Sequence, residues 1–114
     1  MPRDARAYLS DVIGCCAAIE QALSGVALET YKSRRLIRSA VEREFITIGE
    51  AISALRRSSP EIFAVITGAH RIVDFRNLLT HGYATIDDEV VFEVATGDIA
   101  MLKRECEEHL QRLS

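Results

Sequence analysis

The sequence has few of the residues that make turns. It contains no tryptophan, two prolines and six glycines in 114 residues. A many-stranded β fold needs turn residues about every 8–12 positions, so this scarcity excludes such a fold. With 48% hydrophobic and 27% charged residues, the composition is that of a globular chain rather than a disordered one. We therefore expect one mostly helical domain over residues 1–114.

Cysteine is also scarce, and its pattern excludes a disulfide framework. The three cysteines, Cys15, Cys16 and Cys106, are odd in number and include an adjacent pair. No group of Cys and His has the spacing of a zinc site, so no metal and no cofactor are expected. The sequence also lacks a signal-peptide-like start and any run of about 18 apolar residues. These absences predict a cytoplasmic protein with buried thiols.

The chain lacks an excess of positive charge. Its formal net charge is −3, with nine Lys/Arg against seven Asp/Glu in residues 1–57 and five against ten in residues 58–114. This balance excludes a protein that holds nucleic acid by bulk charge. An RNA would have to meet a local basic patch, for which the candidates are Arg34, Arg35, Arg38 and Arg43. The alternative is that these arginines form a solvated helix face.

Apolar residues at spacings of three and four predict helices along most of the chain. Ser59 and Pro60 have the residue types favoured at an N-cap and at the first helical position. Asp87 is a second candidate N-cap. The predicted structure is an all-α bundle of four main helices and one short one, at residues 4–23, 30–57, 60–66, 69–80 and 87–114.

Two glycines interrupt these predicted helices. Glycine costs about 1 kcal/mol relative to alanine in a helix interior. Gly49 lies inside the second segment, where either another group approaches the backbone closely or the helix bends. Gly97 weakens the middle of the last segment.

The segment 74–83 collects the side chains that could carry chemistry. It contains a carboxylate, a guanidinium, an amide, an imidazole and a phenol: Asp74, Arg76, Asn77, His81 and Tyr83. At 100° per residue, Asn77 and His81 lie about 40° apart on a helix, whereas Arg76 and His81 lie about 140° apart. Arg76 and His81 therefore cannot point at one small site from a regular helix.

Three arrangements would reconcile Arg76 with His81. The helix unwinds before His81, which Gly82 permits, or the two side chains act on one cleft from its sides. In the third arrangement, a second copy of the chain completes the site across a twofold axis.

The chemistry available in this segment is phosphodiester cleavage without a metal. A neutral imidazole can accept a proton from a 2′-hydroxyl, and its protonated form can protonate a leaving oxygen. A guanidinium can bind a phosphate bidentately. In the alternative interpretation, His81 caps the helix end and Arg76 pairs with Asp74 or another surface acid.

The string Arg76-Asn-Leu-Leu-Thr-His81-Gly-Tyr83 resembles the Arg-x4-His-x-Tyr signature of the HEPN-superfamily ribonuclease toxins, specifically the HepT-like family. The Ile-Gly-Glu-Ala string at residues 48–51, the Ser-Pro-Glu string at 59–61 and the acidic residues 87–89 also fit that family. The resemblance covers residues 4–112. One departure is the approach to the signature, residues 67–74, which lacks the tryptophan usual in the family.

The resemblance implies a HEPN-like four- to five-helix up-and-down bundle that forms a homodimer with a composite cleft at its interface. It implies a cytoplasmic, metal-independent endoribonuclease that cleaves RNA through attack by the 2′-hydroxyl. By residue, Arg76 would bind and polarise phosphate, His81 would be the general acid/base, and Asn77 would bind substrate. Glu50 and Asp74 are further candidates for the lining of the cleft.

The resemblance further implies a toxin of a type VII-like toxin–antitoxin pair. Its partner would be an MntA-like minimal nucleotidyltransferase that neutralises it by adenylylating Tyr83. The alternative for Tyr83 is an aromatic anchor of the turn. The alternative function is a non-catalytic dimeric adaptor that binds a nucleotidyltransferase or a nucleotide.

Overall fold

The structure is a computed structural model that describes residues 3–81 and 86–114. Over these residues the chain forms seven helices and no strand. They are α1 (Ala5–Ala22), α2 (Leu28–Ser33), α3 (Arg35–Ser58), α4 (Pro60–Val65), α5 (Ala69–His81), α6 (Asp88–Gly97) and α7 (Ile99–Leu113). The all-α bundle predicted from the sequence is confirmed, and the homodimer stays a prediction.

Two of the predicted helices are each divided in two, which raises the helix number above the four to five expected. The segment predicted at 30–57 breaks at Arg34, which is extended (φ −108°, ψ 93°). The Arg38 guanidinium donates to the carbonyl oxygen of Lys32 at 2.5 Å and so satisfies an otherwise open group at the end of α2. The last predicted segment breaks between Gly97 and Ile99, next to the glycine expected to weaken it.

The predicted helix caps are correct in position, but their side chains differ in what they do. The Asp87 carboxylate accepts from the backbone N–H groups of Glu89 and Val90, at 3.0 and 3.4 Å. Pro60 is the first residue of α4, as expected. Ser59 occupies the N-cap of α4, yet its side chain makes no capping hydrogen bond there. The expected capping role of the Ser59 hydroxyl is therefore wrong.

Helix α3 lies at the centre of the bundle and packs against α1, α4 and α5, while α1 also packs against α7. Its apolar stripe fills the core as the spacing predicts, with Ile37 half-buried and the others buried: Val41, Phe45, Ile48, Ile52 and Leu55. Within the described ranges, no helix has both the length and the apolar character that crossing a membrane requires.

The three cysteines lie in this core as free thiols, which confirms their expected burial. Burial, with a smaller effect of a hydrogen bond to Glu44, raises the pKa of Cys15 to about 12. Burial also raises the pKa of Cys106 to about 12 and raises the pKa of Cys16. The thiols are therefore neutral at physiological pH.

Helix α5 runs back along α3, and this places the candidate site. The Arg56 guanidinium, near the end of α3, lies 5.5 Å from the centre of the Phe63 ring on α4. Phe63 in turn packs edge-to-face on His70 at the start of α5, with ring centres 4.8 Å apart. The later residues of α5 therefore lie beside the middle of α3.

Candidate functional site

The stem of the Arg76 side chain packs directly against the backbone of α3 at Gly49. A Cβ atom at position 49 would overlap the Cβ of Arg76 and lie 2.5 Å from its Cγ. No side chain larger than hydrogen fits there while α3 and α5 keep their spacing. Helix α3 runs unbroken past this residue, and the close approach of Arg76 accounts for a glycine at this position.

An aromatic pair fixes the rotation of α5 that brings Arg76 to Gly49. The rings of Phe45 on α3 and Phe75 on α5 meet edge-to-face, with centres 5.1 Å apart and planes at 89°. This is a favoured geometry for aromatic pairs. Since Phe75 adjoins Arg76, its position in the core directs the next side chain towards α3.

The Arg76 guanidinium is held by its neighbour on the helix. Its Nε donates to the Oδ1 of Asn77 at 2.9 Å. Arg76 is half-buried and Asn77 is exposed, so the guanidinium lies at the edge of the bundle, within reach of a ligand. Among the described residues, Arg76 forms no ion pair with Asp74, which removes that alternative for its role.

Thr80 supports this arrangement, although sequence reasoning did not single it out. Its hydroxyl donates to the backbone carbonyls of Arg76 and Asn77, at 3.1 and 3.2 Å. These contacts tie the last turn of α5 to the two residues that present the guanidinium. The sequence signal for this contact is a threonine four residues after Arg76, because in a helix a threonine hydroxyl can bond the backbone carbonyl four residues earlier.

His81 is the last residue of α5 and is exposed. Because α5 is helical through His81, unwinding before this residue does not bring the imidazole to Arg76. The His81 imidazole makes no hydrogen bond to another residue within 3–81 or 86–114. The remaining arrangements are one cleft approached from two sides and a site completed by a second chain.

The other predicted site residues do not all meet at Arg76. Glu50 and Asp74 are both exposed. Glu50 follows Gly49 and lines a groove of about 310 Å³ along α3, whereas Asp74 makes no hydrogen bond to Arg76 or Asn77. Gly82 and Tyr83 lie outside the described residues, so the turn glycine and the modification site remain predictions.

The expected basic patch is divided by the structure. Arg34, Arg35 and Arg43 are exposed, but Arg38 is half-buried and its Nε lies 3.6 Å from the Asp88 Oδ2. Arg38 therefore joins α6 to the α2–α3 junction, and its expected place on an open RNA-guiding face is wrong. Residues far apart in the sequence make this contact, so the helical periodicity does not reveal it.

Next to this ion pair lie Glu42 and Tyr31. Burial, reinforced by Asp88 and opposed by Arg38, raises the pKa of the Glu42 carboxyl. Burial also raises the pKa of Tyr31, whose hydroxyl has no hydrogen-bond partner among the residues described. Glu42 is thus part of a partly desolvated cluster, whereas Glu50 faces solvent.

Comparisons with known proteins identify relatives over most of the chain. The family model described as "Ribonuclease HepT-like" matches residues 12–109. A protein of Methanocaldococcus jannaschii named "Putative RNase MJ1380" is 27% identical over 105 residues, which are 92% of this chain and 95% of the relative. A protein of Caldanaerobacter subterraneus named "Putative RNase TTE0752" is 23% identical over 107 residues, covering 94% and 95%. No solved structure matches the chain.

Proposed function

The chain belongs to the HepT-like ribonuclease family, and from this premise we propose that it is a metal-independent endoribonuclease that acts as the toxin of a toxin–antitoxin pair. The observation that carries the proposal is the contact between Arg76 and Gly49. It seats a guanidinium, already bonded to Asn77, at the edge of the bundle on the helix that ends at His81. A guanidinium placed in this way suits a phosphate bound from solvent.

In the proposed reaction, a neutral His81 accepts the proton of a 2′-hydroxyl, whose oxygen forms a bond to the adjacent phosphorus. The bond from phosphorus to the 5′-oxygen breaks, and a protonated imidazole gives that oxygen its proton. The products are a 2′,3′-cyclic phosphate and a 5′-hydroxyl. Arg76 stabilises the charge that develops on the phosphoryl oxygens, and Asn77 orients the guanidinium and the substrate.

A second copy of the chain would supply the group that one helix cannot. Arg76 and His81 diverge by about 140° around a helix that is regular through His81. A homodimer with α5 of each chain at the interface would bring the arginine of one protomer towards the histidine of the other.

Tyr83 is the proposed target of the antitoxin, a minimal nucleotidyltransferase. It lies two residues after His81 in the sequence, so a nucleotide attached to its hydroxyl would bring bulk and negative charge close to the cleft. The added phosphate would repel the RNA backbone by the same like-charge effect as a phosphorylated side chain.

The decisive experiment is an RNA cleavage assay in EDTA with the purified, unmodified protein. We expect the wild-type chain to cut RNA, and R76A and H81A to lose at least about 100-fold in rate, the usual contribution of a general acid/base. H109A is the matched control, since His109 lies on α7 beside Arg112. Intact RNA with a folded wild-type chain would contradict the proposal and favour the non-catalytic adaptor.

Growth assays in cells and intact-mass spectrometry of the protein test the toxin role. Induced expression should arrest growth, and R76A and H81A should relieve the arrest. Co-expression with a nucleotidyltransferase encoded beside this chain should raise the intact mass by whole AMP units, and Y83F should abolish that increase. An unchanged mass of the wild-type chain would refute adenylylation without affecting the cleavage result.

A further inference from the structure

The groove of about 310 Å³ on α3 is shallow and open to solvent, since the side chains of this one helix form its lining. It is lined by Ser39, Glu42, Arg43, Ile46, Thr47 and Glu50. These positions are separated by three, four and seven residues, so they form one continuous stripe on the helix. The groove is therefore a feature of a rigid element rather than of a loop.

Glu50, at one end of the groove, is the residue after Gly49, against which Arg76 packs. Arg43 lies seven residues earlier, which is about 10 Å along the helix axis. An RNA phosphate at Arg76 would place its neighbouring nucleotide near Glu50, and the phosphate on the far side of that nucleotide nearer Arg43.

The chemistry of the lining suits a base better than a phosphate. Two carboxylates, Glu42 and Glu50, would repel a phosphate lying in the groove itself. The half-buried Ile46 offers an apolar surface for the flat face of a base. A carboxylate accepts hydrogen bonds but donates none, so it selects a base edge that carries N–H groups.

The two carboxylates are not equivalent. Glu42 is partly desolvated and faces Asp88 and Arg38, so it belongs to the cluster that joins α3 to α6. Glu50 is exposed at the end nearer Arg76. Arg43 is exposed at the middle of the stripe, where a guanidinium can bind the next phosphate of the chain.

We propose that the α3 groove binds the nucleobase next to the scissile phosphate, with Glu50 accepting its N–H groups and Arg43 binding the following phosphate. This proposal rests on the proposed ribonuclease function. Guanine is the best match, because its pairing edge presents two neighbouring N–H donors to one carboxylate. Uracil is the poorest match, because its single N–H lies between two carbonyl oxygens that the carboxylate repels.

Cleavage-site preference tests the proposal. Four RNAs that differ only in the base beside the cut would be compared for the wild-type chain, E50Q, E50A and the control E108Q on α7. We expect the wild-type chain and E108Q to prefer guanine over uracil by about tenfold, the usual discrimination from one bidentate contact. In E50Q and E50A the preference should disappear. An unchanged preference in both Glu50 variants would overturn the proposal while leaving the ribonuclease function intact.

A measurement of nucleotide binding tests the base site independently of RNA cleavage. GMP and UMP would be titrated into the isotopically labelled chain, with backbone amides of residues 39–50 observed by NMR. We expect saturable shifts along the groove that are stronger for GMP than for UMP and are lost in E50A. R43A should weaken GMP binding and its salt dependence, while R104A on α7 should not. Equal shifts for both nucleotides, or none, would refute the base site whether or not RNA is cut.

The competing occupant of the groove is a second copy of this chain. If the partner protomer covers the groove, E50A and R43A should change the dimer dissociation constant measured by analytical ultracentrifugation. We expect both variants to dimerise as the wild-type chain does. A weakened dimer together with an unchanged base preference would overturn the proposal in favour of a protein contact.

Discussion

At the scale of single residues, the tightest steric constraint in the candidate site is the contact between Gly49 and Arg76. The atoms that a side chain at position 49 would meet are the Cβ and Cγ of Arg76, near the backbone of α5. Such atoms cannot rotate away as the end of a long side chain can. Any residue with a Cβ at this position must therefore push α5 from α3 or turn the guanidinium.

The variant G49A tests this constraint. Overpacking typically costs about 1–3 kcal/mol, which outweighs the gain of about 1 kcal/mol from replacing a helical glycine by alanine. We expect a lower free energy of unfolding in urea and weaker RNA cleavage. G14A is the matched control, because a Cβ at position 14 of α1 meets no atom within 4 Å. That variant should gain up to about 1 kcal/mol, and a similar gain in G49A would contradict the contact.

The buried thiols give a second prediction at this scale. Raised thiol pKa values, about 12 for Cys15 and Cys106, leave almost no reactive thiolate at pH 8 in the folded chain. A chromogenic disulfide reagent at pH 8 should therefore react with none of the three cysteines of the folded protein. After unfolding in urea, all three should react. As the pH rises towards 12, reaction in the folded state should accelerate. Rapid reaction of the folded chain at pH 8 would show that the cysteines are accessible.

At the scale of helices, the sequence predicts where helices exist and where they begin more accurately than where they break. The apolar spacing locates the bundle, but the division at Arg34 depends on Arg38, whose contacts with Lys32 and Asp88 are tertiary. The angle between Arg76 and His81 around the helix axis likewise follows from their separation in the sequence. The contact of Arg76 with Gly49 does not, because it depends on how α5 docks on α3. The glycine alone indicated a close approach or a bend, without identifying the neighbour.

The two N-caps make a prediction about helix termini. Asp87 bonds the first N–H groups of α6, whereas Ser59 makes no such bond at α4. We expect D87A to lower the free energy of unfolding by about 0.5–2 kcal/mol, and S59A to change it by less than about 0.5 kcal/mol. Urea denaturation of both variants measures this difference. Equal losses would indicate that the Ser59 hydroxyl caps α4 in solution.

At the scale of the whole molecule, the proposed dimer would bring together the two reacting groups that α5 of one chain directs apart. A single regular helix turns Arg76 and His81 to different sides, and the rest of the described bundle brings no second histidine to Arg76. The net charge of −3 adds a mild repulsion of RNA outside any arginine-lined cleft. Assembly would thus complete the reacting groups and concentrate the positive charge where the phosphate binds.

Mixing two inactive variants tests this arrangement. R76A and H81A should each be inactive alone, but heterodimers of the two contain one cleft with an intact Arg76 and an intact His81 on opposite chains. We therefore expect RNA cleavage to return when the variants are unfolded together and refolded. The double variant R76A/H81A, mixed with H81A, is the control and should stay inactive. If the R76A and H81A mixture stays inactive although mass spectrometry shows heterodimers, Arg76 and His81 of each site lie on the same chain.

The fit at Gly49 also has a genetic consequence. Every codon for glycine begins with GG, so any change at either of its first two bases encodes a residue with a Cβ or stops translation. If the chain arrests growth as proposed, cells that survive its expression should carry substitutions at codon 49 as well as at the codons for Arg76 and His81. The position would then be a frequent route of escape, although its residue has no side chain and touches no substrate.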